Sequence, residues 1–571
     1  MDSVVYWYKT EVYFWRSAGS LFWSITCLPL ITIFLVILSQ FSFLHPWQAL
    51  ADFASVVLSL SFLLWLGILT AILITIACTA TFTVVPDVPA TRLRSYLSLL
   101  RWSRWPHLIA AKLGGACVAW VCSHFMDQRF YSLTTVVVTT DRELLLLNES
   151  HLFLVLAGAM AGLVYYTNFY LSHLSYLAFP TLQRDKYFRA RSEIIQLAKL
   201  CVRLTWRHIR LFYLGYWLLG GSYRSWVLNL LNVEGITEEQ PLDTFFGLLD
   251  LTLLCQTCLC TFFILFTWSL TAVLYRVYHT QRLEIPVLTT FSSASKHCLS
   301  AALAAQTAPL LQHLAFLDLA YLSGHSPQRR VEVFSLSQPG GHPYTWRAVC
   351  SACLQQLEAL AAQVQTAHLA ALATLPVQHL PAEKIFSTTG DTSLLYRGSA
   401  EPQSPGVQST PSPPPQPVAA KTSFTSKLYS GLKDKPILSY FLMELPDTKS
   451  RQLFAACQIH IWAIEAMSQL AAASYEEDKF GVVQQTLSAI FTSLISLQDT
   501  IEKYFKLQPL TVRRSSKESH PQPHITLCQQ LRVTLKTAIY RLTNSFGRHL
   551  GDLNLNTDCM KRVRPFLDYR E

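Results

Sequence analysis

From Leu251 to Tyr275 the chain reads LTLLCQTCLCTFFILFTWSLTAVLY, 25 residues without a formal charge. As a helix rising about 1.5 Å per residue, such a segment is long enough to cross a hydrocarbon core of about 30 Å. Similar uncharged runs precede it. Beyond Arg276 the long apolar runs stop, so the direction of this one segment decides where nearly 300 following residues reside.

Composition agrees with that division. Of 571 residues, 51% are hydrophobic and 14% charged, too apolar for an ordinary soluble chain. The net charge of +10 is spread evenly, with 27 Lys and Arg against 21 Asp and Glu beyond residue 277. No basic run is long enough for a phosphate-tracking groove, which argues against direct nucleic-acid binding. The first apolar run is span-length and lacks a clear small-residue cleavage site, so it reads as a signal anchor. The 14 cysteines are scattered without repeated spacing, as suits free thiols in a reducing compartment.

The pattern predicts six spans. They are Leu21–Leu44, Val56–Thr79, Leu108–Phe125, Leu152–Leu177, a fifth entering the bilayer from about Leu211, and Leu251–Tyr275. Aromatic and basic residues from Tyr6 to Arg16 suit the headgroup level before the first. Gly158, Ala159, Ala161 and Gly162 give the fourth a small-residue face for helix packing. The fifth is preceded by Lys199, Arg203, Arg207 and Arg210, spaced to share one helical face. An interfacial helix that then enters the bilayer is favoured over a voltage-sensor-like or substrate-lining stripe, because the neighbouring spans carry no acidic partners.

Loop charge sets orientation, since short cytosolic loops collect Lys and Arg. The loops after spans two and four are basic (Arg92, Arg94, Arg101, Arg104; Arg184, Lys186, Arg189, Arg191, Lys199), whereas those after spans one, three and five are poor in Lys and Arg. Six spans with that alternation put both termini on the cytosolic side. The sequon Asn148-Glu149-Ser150 then falls in a lumenal loop, making Asn148 a candidate glycosylation site.

Beyond about Glu284 the apolar residues become periodic. Lys296–Leu322, Arg451–Ala473 and Trp346–Leu375 read as helices, and Val483, Leu487, Ile490, Leu494, Leu497, Ile501 and Phe505 advance in steps of three and four. Leu531, Leu535, Ile539, Leu542, Phe546 and Leu550 do nearly the same, the mark of helices packed on helices. Residues 386–421 are rich in Pro, Ser and Thr and read as a disordered tether. Ser404, Thr410 and Ser412 each precede a proline there, the acceptor pattern of proline-directed kinases. The reading is an all-α chain: a six-helix transmembrane domain (1–283), a helical soluble region (284–385), a disordered linker (386–421) and a C-terminal helical region (422–571).

No catalytic constellation, cofactor loop or metal-ligand spacing stands out. Cys350-Ser-Ala-Cys353 has no second pair at zinc-ribbon distance and sits in a helix-like run, so packed thiols are the expectation. The paired glycines lack the Lys and strand–helix context of a phosphate loop. A different mixture marks VEVFSLSQPGGHPYTW, Val331 to Trp346, where a strand-like start leads into an irregular Pro-Gly turn. Pro339, Gly340, Gly341, His342, Tyr344 and Trp346 form a candidate docking loop; a rigid turn packed in its own domain is the other reading.

Several long strings carry a resemblance: EVFSLSQPGGHPYTW, CQIHIWAIEAMSQLAAASYEEDKFGVVQQTL, IEKYFKLQ and LKTAIYRLTNSFGRHL, with Phe43-Leu44-His45-Pro46 and Pro241-Leu242-Asp243-Thr244. Over essentially the whole chain it resembles the vertebrate nuclear division cycle family of transmembrane nucleoporins, apart from a shorter Ser/Pro linker. The resemblance implies a protein of the nuclear-envelope pore membrane that anchors the nuclear pore complex, links it to soluble nucleoporins and supports insertion of new pores. The partners it implies are the lipid bilayer and, through the C-terminal half, the WD-repeat nucleoporin aladin and membrane-binding inner-ring nucleoporins. It implies no catalytic residues. The alternative function is a polytopic transporter or channel of the endoplasmic reticulum or nuclear envelope; a membrane acyl transferase would need a polar cluster that the sequence does not display.

Overall fold

The computed structural model describes residues 2–40, 46–126, 128–139, 142–233, 235–237, 241–244, 247–287, 297–336, 341–373, 436–444, 447–507, 523–553 and 555–568. The linker with Ser404, Thr410 and Ser412 lies outside the described residues, as do Pro339 and Gly340.

The N-terminal half is built on the long helices α1 (Phe14–Ser39), α2 (Leu60–Thr79), α3 (Trp105–Ser123), α4 (Glu149–Leu171), α5 (Lys186–Leu231) and α6 (Leu251–His279). Short helical turns, Asp2–Trp7 and Tyr8–Tyr13, run straight into α1. Four of these helices are long and apolar enough to cross a membrane: Ser3–Ser39, Leu60–Thr79, Glu149–Leu171 and Leu251–His279. The start of α6 is fixed by Asp250, whose carboxylate accepts from the amides of Thr252 and Leu253. Arg276 in its last turn complements the negative end of the helix dipole.

Hydrogen bonds at the helix ends show that successive helices alternate in direction. At one end of the bundle Gln256 Nε2 donates to Ser39 O (2.9 Å), Gln40 Nε2 to Phe125 O (3.3 Å), and Tyr216 Oη to Glu149 (2.9 Å). At the other end Thr79 meets His107 (3.2 Å), Arg189 donates to Thr280 (2.7 Å), and Arg16 donates to carbonyls just beyond α6. Where α3 crosses α4, the two backbones touch. A Cβ on Gly115 would stand 3.2 Å from the Cα of Gly162, and one on Gly158 would be 3.2 Å from the carbonyl carbon of Gly115. The small-residue face expected on the fourth span is this seam, with Ala161 fully buried in it.

Several expectations need correction. The chain is mainly helical rather than all-α, because the α3–α4 connection folds as a hairpin of β1 (Thr134–Thr139) and β2 (Arg142–Leu147), with β3 (Gly235–Ile236) added parallel to β2. The β-branched run TTVVVT explains the choice of strand there. The second span starts at Leu60 and is preceded by a separate helix, Pro46–Val57; Ser59 caps the new start by accepting from Ser61 N. The basic stretch and fifth span form one unbroken helix of 46 residues. Val331–Phe334 is the end of a helix, Pro327–Phe334, not a strand. The helix expected over Lys296–Leu322 is split into Leu299–Leu303 and α7 (Pro309–His325), because Pro309 is suited to a first helical turn and cannot continue one.

The C-terminal half is a helical bundle of α7, α8 (Tyr344–Ala373), α9 (Gln458–Glu477), α10 (Gln484–Leu507), α11 (Pro523–Phe546) and α12 (Thr557–Leu567). The two apolar stripes read from the sequence face its core: Leu487, Ile490, Leu494, Leu497 and Ile501 on α10, and Leu531, Leu535, Ile539 and Leu542 on α11. Val4 and Tyr8 from the extreme N-terminus join that same core.

Candidate functional site: the junction between the two halves

The exit of α6 is held by three side chains from two neighbouring helices. Arg16, near the start of α1, donates to the carbonyls of His279 (3.2 Å), Gln281 (2.8 Å) and Arg282 (3.2 Å). These carbonyls lie at and just past a helix end and need donors. Ser17 Oγ meets His279 Nε2 at 3.1 Å, and Arg189 of α5 reaches Thr280. One guanidinium and its neighbours thus splice the start of α1, the start of α5 and the end of α6.

A buried ion pair then fastens the exit segment to the bundle. Asp318 of α7 is fully buried, and Arg329 grips both its oxygens at 3.1 and 2.7 Å. Asp318 also accepts from Ile285 N (3.1 Å), and Arg329 donates to Ile285 O (2.6 Å). Burial works against the Arg329 charge, but the hydrogen bonds and charge of Asp318 outweigh it and raise its pKa above the ordinary arginine value. Two charges satisfied this completely specify geometry more than they add net stability. The loop after α4 makes a further tie, with Phe179 packed edge-on against Trp462 (5.2 Å between ring centroids) and stacked near His313 (5.9 Å). The short helix Pro436–Leu442 reaches back to Arg92, whose guanidinium lies 4.0 Å over the Tyr440 ring.

The residues singled out in the sequence are dispersed. Asn148 caps α4: its Oδ1 accepts from His151 N (3.2 Å) and its Nδ2 donates to Arg129 O (2.7 Å), with the side chain buried. Of the candidate docking loop, Trp346 is fully buried against Phe334 and donates from Nε1 to Thr486 (3.0 Å), whereas Tyr344 is exposed beside a groove lined by Val5, Ala301 and Ala352. Gly341 and His342 lead into α8, where the His342 carbonyl accepts from Tyr344 N (2.9 Å). Cys350 and Cys353 are core thiols of α8, and burial pushes Cys350 up to about 11 and Cys353 higher still. Among the described residues no three His, Cys, Asp or Glu side chains form a group able to hold a metal ion.

The chain matches the model of the family described as "Nucleoporin protein Ndc1-Nup" over residues 11–564. It is 31% identical to Nucleoporin NDC1 of Danio rerio over 664 aligned residues, which cover 99% of each chain. It is also 31% identical to Nucleoporin NDC1 of Homo sapiens, over 98% of this chain and 97% of that one. The chain belongs to the Ndc1 nucleoporin family. The likeness extends to Nucleoporin Ndc1 of Drosophila melanogaster, 24% identical over 71% of this chain and 72% of that one.

Sequence reasoning missed one polar cluster in this Ndc1 nucleoporin. Glu149, fully buried, accepts from Tyr216 Oη (2.9 Å), Arg224 (3.1 Å) and Leu242 N (3.0 Å), while Arg224 also pairs with Asp243 through two hydrogen bonds (3.0 and 3.1 Å). Its members come from α4, α5 and the loop before α6. The available signal was Arg224 itself, a lone basic residue followed by an acidic loop. The cluster ties the far end of the membrane bundle, opposite the junction.

Proposed function

We propose that this protein anchors the nuclear pore complex in the nuclear envelope, with six helices in the bilayer and both termini on the cytosolic, pore-facing side. It acts as a structural pore component rather than an enzyme. The observation that carries the reading is the junction. The N-terminal turns, the exit of α6 and the C-terminal bundle share one core and one hydrogen-bonded seam, so the C-terminal half is held directly against the membrane helices.

That arrangement supports α3 and α5 as the third and fifth spans, because each runs antiparallel to a neighbour that is itself long and apolar enough to cross. In this reading the C-terminal half presents its surface to aladin and to membrane-binding inner-ring nucleoporins, with Tyr344 on the exposed side of the candidate docking loop. Phosphorylation of Ser404, Thr410 or Ser412 would add about −1.5 to −2 charge at each site between the two parts of that half. Asn148 would face the lumen. Its amide nitrogen is occupied by Arg129 O, so we expect it to cap α4 rather than carry a glycan; a mobility shift of the full-length protein on endoglycosidase treatment would refute that expectation.

The function is tested with the full-length chain in cells. It should concentrate at the nuclear rim and co-purify aladin, and reporters placed after α4, after α5 and after α6 should fall in cytosol, lumen and cytosol. Substrate-dependent flux through the purified protein in liposomes would favour the transporter alternative and overturn a purely structural role.

A further inference from the structure

We propose that the groove between α5 and α6 near the junction is a binding site for the phosphate-bearing headgroup of an anionic membrane lipid. Its volume is about 880 Å³, within the range of small-ligand sites. Four guanidiniums line it: Arg203, Arg207 and Arg210 from α5, and Arg276 from α6. The one acidic residue on its wall, Glu193, is already paired with Arg189 at 3.2 Å. Among the described residues none of the four lining arginines has a carboxylate partner, and the Arg276 Nε is buried without a hydrogen-bond partner. Such a cluster repels itself unless an anion occupies the space between, and guanidinium is the group best shaped to hold phosphate through paired hydrogen bonds.

Depth and the rest of the helix face select a lipid over a free anion. Arg203 lies 21 residues from Arg224, which belongs to the charged cluster at the opposite end, a rise of about 31 Å and close to the thickness of the hydrocarbon core. Arg276 lies about 39 Å along α6 from its cap, Asp250. The mouth of the groove therefore sits at the headgroup level, and Arg207 and Arg210 start about 6 and 10 Å deeper, within reach of it for long side chains that snorkel. The same helical face continues inward from Arg203, Arg207 and Arg210 to Leu214 and Leu218, which are 55% and 65% exposed. One stripe thus offers cations at the phosphate depth and bare leucine below, the pattern of a phospholipid's head and acyl chain. The inference rests on α5 entering the bilayer, as proposed above.

The experiment is native mass spectrometry of the full-length protein in neutral detergent, supplied with phosphatidic acid or phosphatidylcholine. Phosphatidic acid should be retained preferentially, and the triple variant R203Q/R207Q/R210Q should lower its retention by about tenfold or more, equivalent to about 1.4 kcal/mol. The charge-matched variant R94Q/R184Q/R191Q, altered at exposed positions outside the groove, should change retention by less than about twofold. Inorganic phosphate and glycerol 3-phosphate at millimolar concentration should not displace the lipid. Equal loss in both triple variants, no preference for phosphatidic acid, or displacement by inorganic phosphate would each overturn the proposal. Labelling of Leu214→Cys by a membrane-impermeant thiol reagent, above the parent's background, separates the two failures. A labelled cysteine refutes the span, whereas a protected cysteine with unchanged lipid retention in the groove variant refutes only the lipid site.

Discussion

The α3–α4 seam permits a test in which a single methyl group decides between two models of packing. Gly162 of α4 faces Ala111 of α3, and a Cβ there would stand 2.8 Å from the Ala111 carbonyl carbon and 3.4 Å from Lys112 N. Ordinary carbon contacts lie at about 3.5–4.0 Å, so the helices must separate by roughly 1 Å to admit it. A gap of about 0.5–1 Å already forfeits a quarter to a half of the dispersion well for the atoms on either side. Overpacking of this kind costs about 1–3 kcal/mol. It is opposed by a gain of about 0.5–1 kcal/mol from replacing glycine by alanine within a helix. Gly162→Ala should therefore destabilise the protein, and Gly215→Ala is its control, since a Cβ at Gly215 meets nothing within 4 Å. The net cost is up to about 2.5 kcal/mol, so at about 2–4 °C per kcal/mol the expected fall in Tm for Gly162→Ala is up to about 10 °C, with no fall for Gly215→Ala. The measurement is thermal unfolding in detergent, followed by exposure of the buried thiols Cys122, Cys201 and Cys260 to a thiol-reactive dye. A Gly162→Ala protein that melts at or above Gly215→Ala would refute backbone-contact packing at this crossing.

Three further outcomes are expected. Leu494→Asp places a charge in the core of the C-terminal bundle, where Leu494 is 1% exposed, at a cost above about 4 kcal/mol. Membrane insertion should persist while limited proteolysis of the full-length protein removes the C-terminal half; a protease-resistant half would show that the α10 stripe is not core. Arg224→Met leaves Glu149 buried without its guanidinium and should cost about 3 kcal/mol. Adding Glu149→Gln should recover part of that loss, and additive melting shifts in the double variant would refute the coupling. Burial holds both His313 and His460 down at about 4, against an ordinary value of 6.5. The unfolded chain takes up protons first as pH falls below 6.5, so stability is complete above that pH and declines toward pH 4, by about 3 kcal/mol for each imidazole. The variant His313→Asn/His460→Asn should flatten the Tm profile over that window; an unchanged profile would assign the acid sensitivity to other groups.

What was legible in the sequence was whatever lay on one element. Uncharged length marked the apolar helices, Gly158 and Gly162 marked a seam, and the spacing of Leu487, Ile490 and Leu494 marked a core face. What was not legible needed partners far apart in the chain. Arg16 secures the α6 exit through backbone carbonyls, which leave no side-chain signature at residues 279, 281 and 282. Glu149 finds Arg224 across 75 residues, and Asp318 finds Ile285 across 33. Tyr8 belongs to an aromatic flank that suits a membrane interface by composition, yet it is buried in the C-terminal core. Composition reports the polarity a side chain prefers, and cannot distinguish lipid headgroups from the interior of a protein as the place that supplies it.

The position of Tyr8 also bears on the direction of α6. Val4 and Tyr8 precede α1, while the core they join is assembled from residues beyond Ile285. A bilayer cannot lie between members of one packed core, so the chain must cross it an even number of times from residue 8 to residue 285. If α5 lay wholly on the surface, one more helix would have to be withdrawn to keep that parity. The nearest candidate, α3, is bound to α4 by backbone contact and shares its depth. Loop charge alone left the direction of Leu251–Tyr275 dependent on the most basic helix in the membrane half. The core contact removes that dependence: a reporter fused before Val4 and one placed after Arg282 should report the same side whatever α5 does, and opposite sides would break the shared core itself.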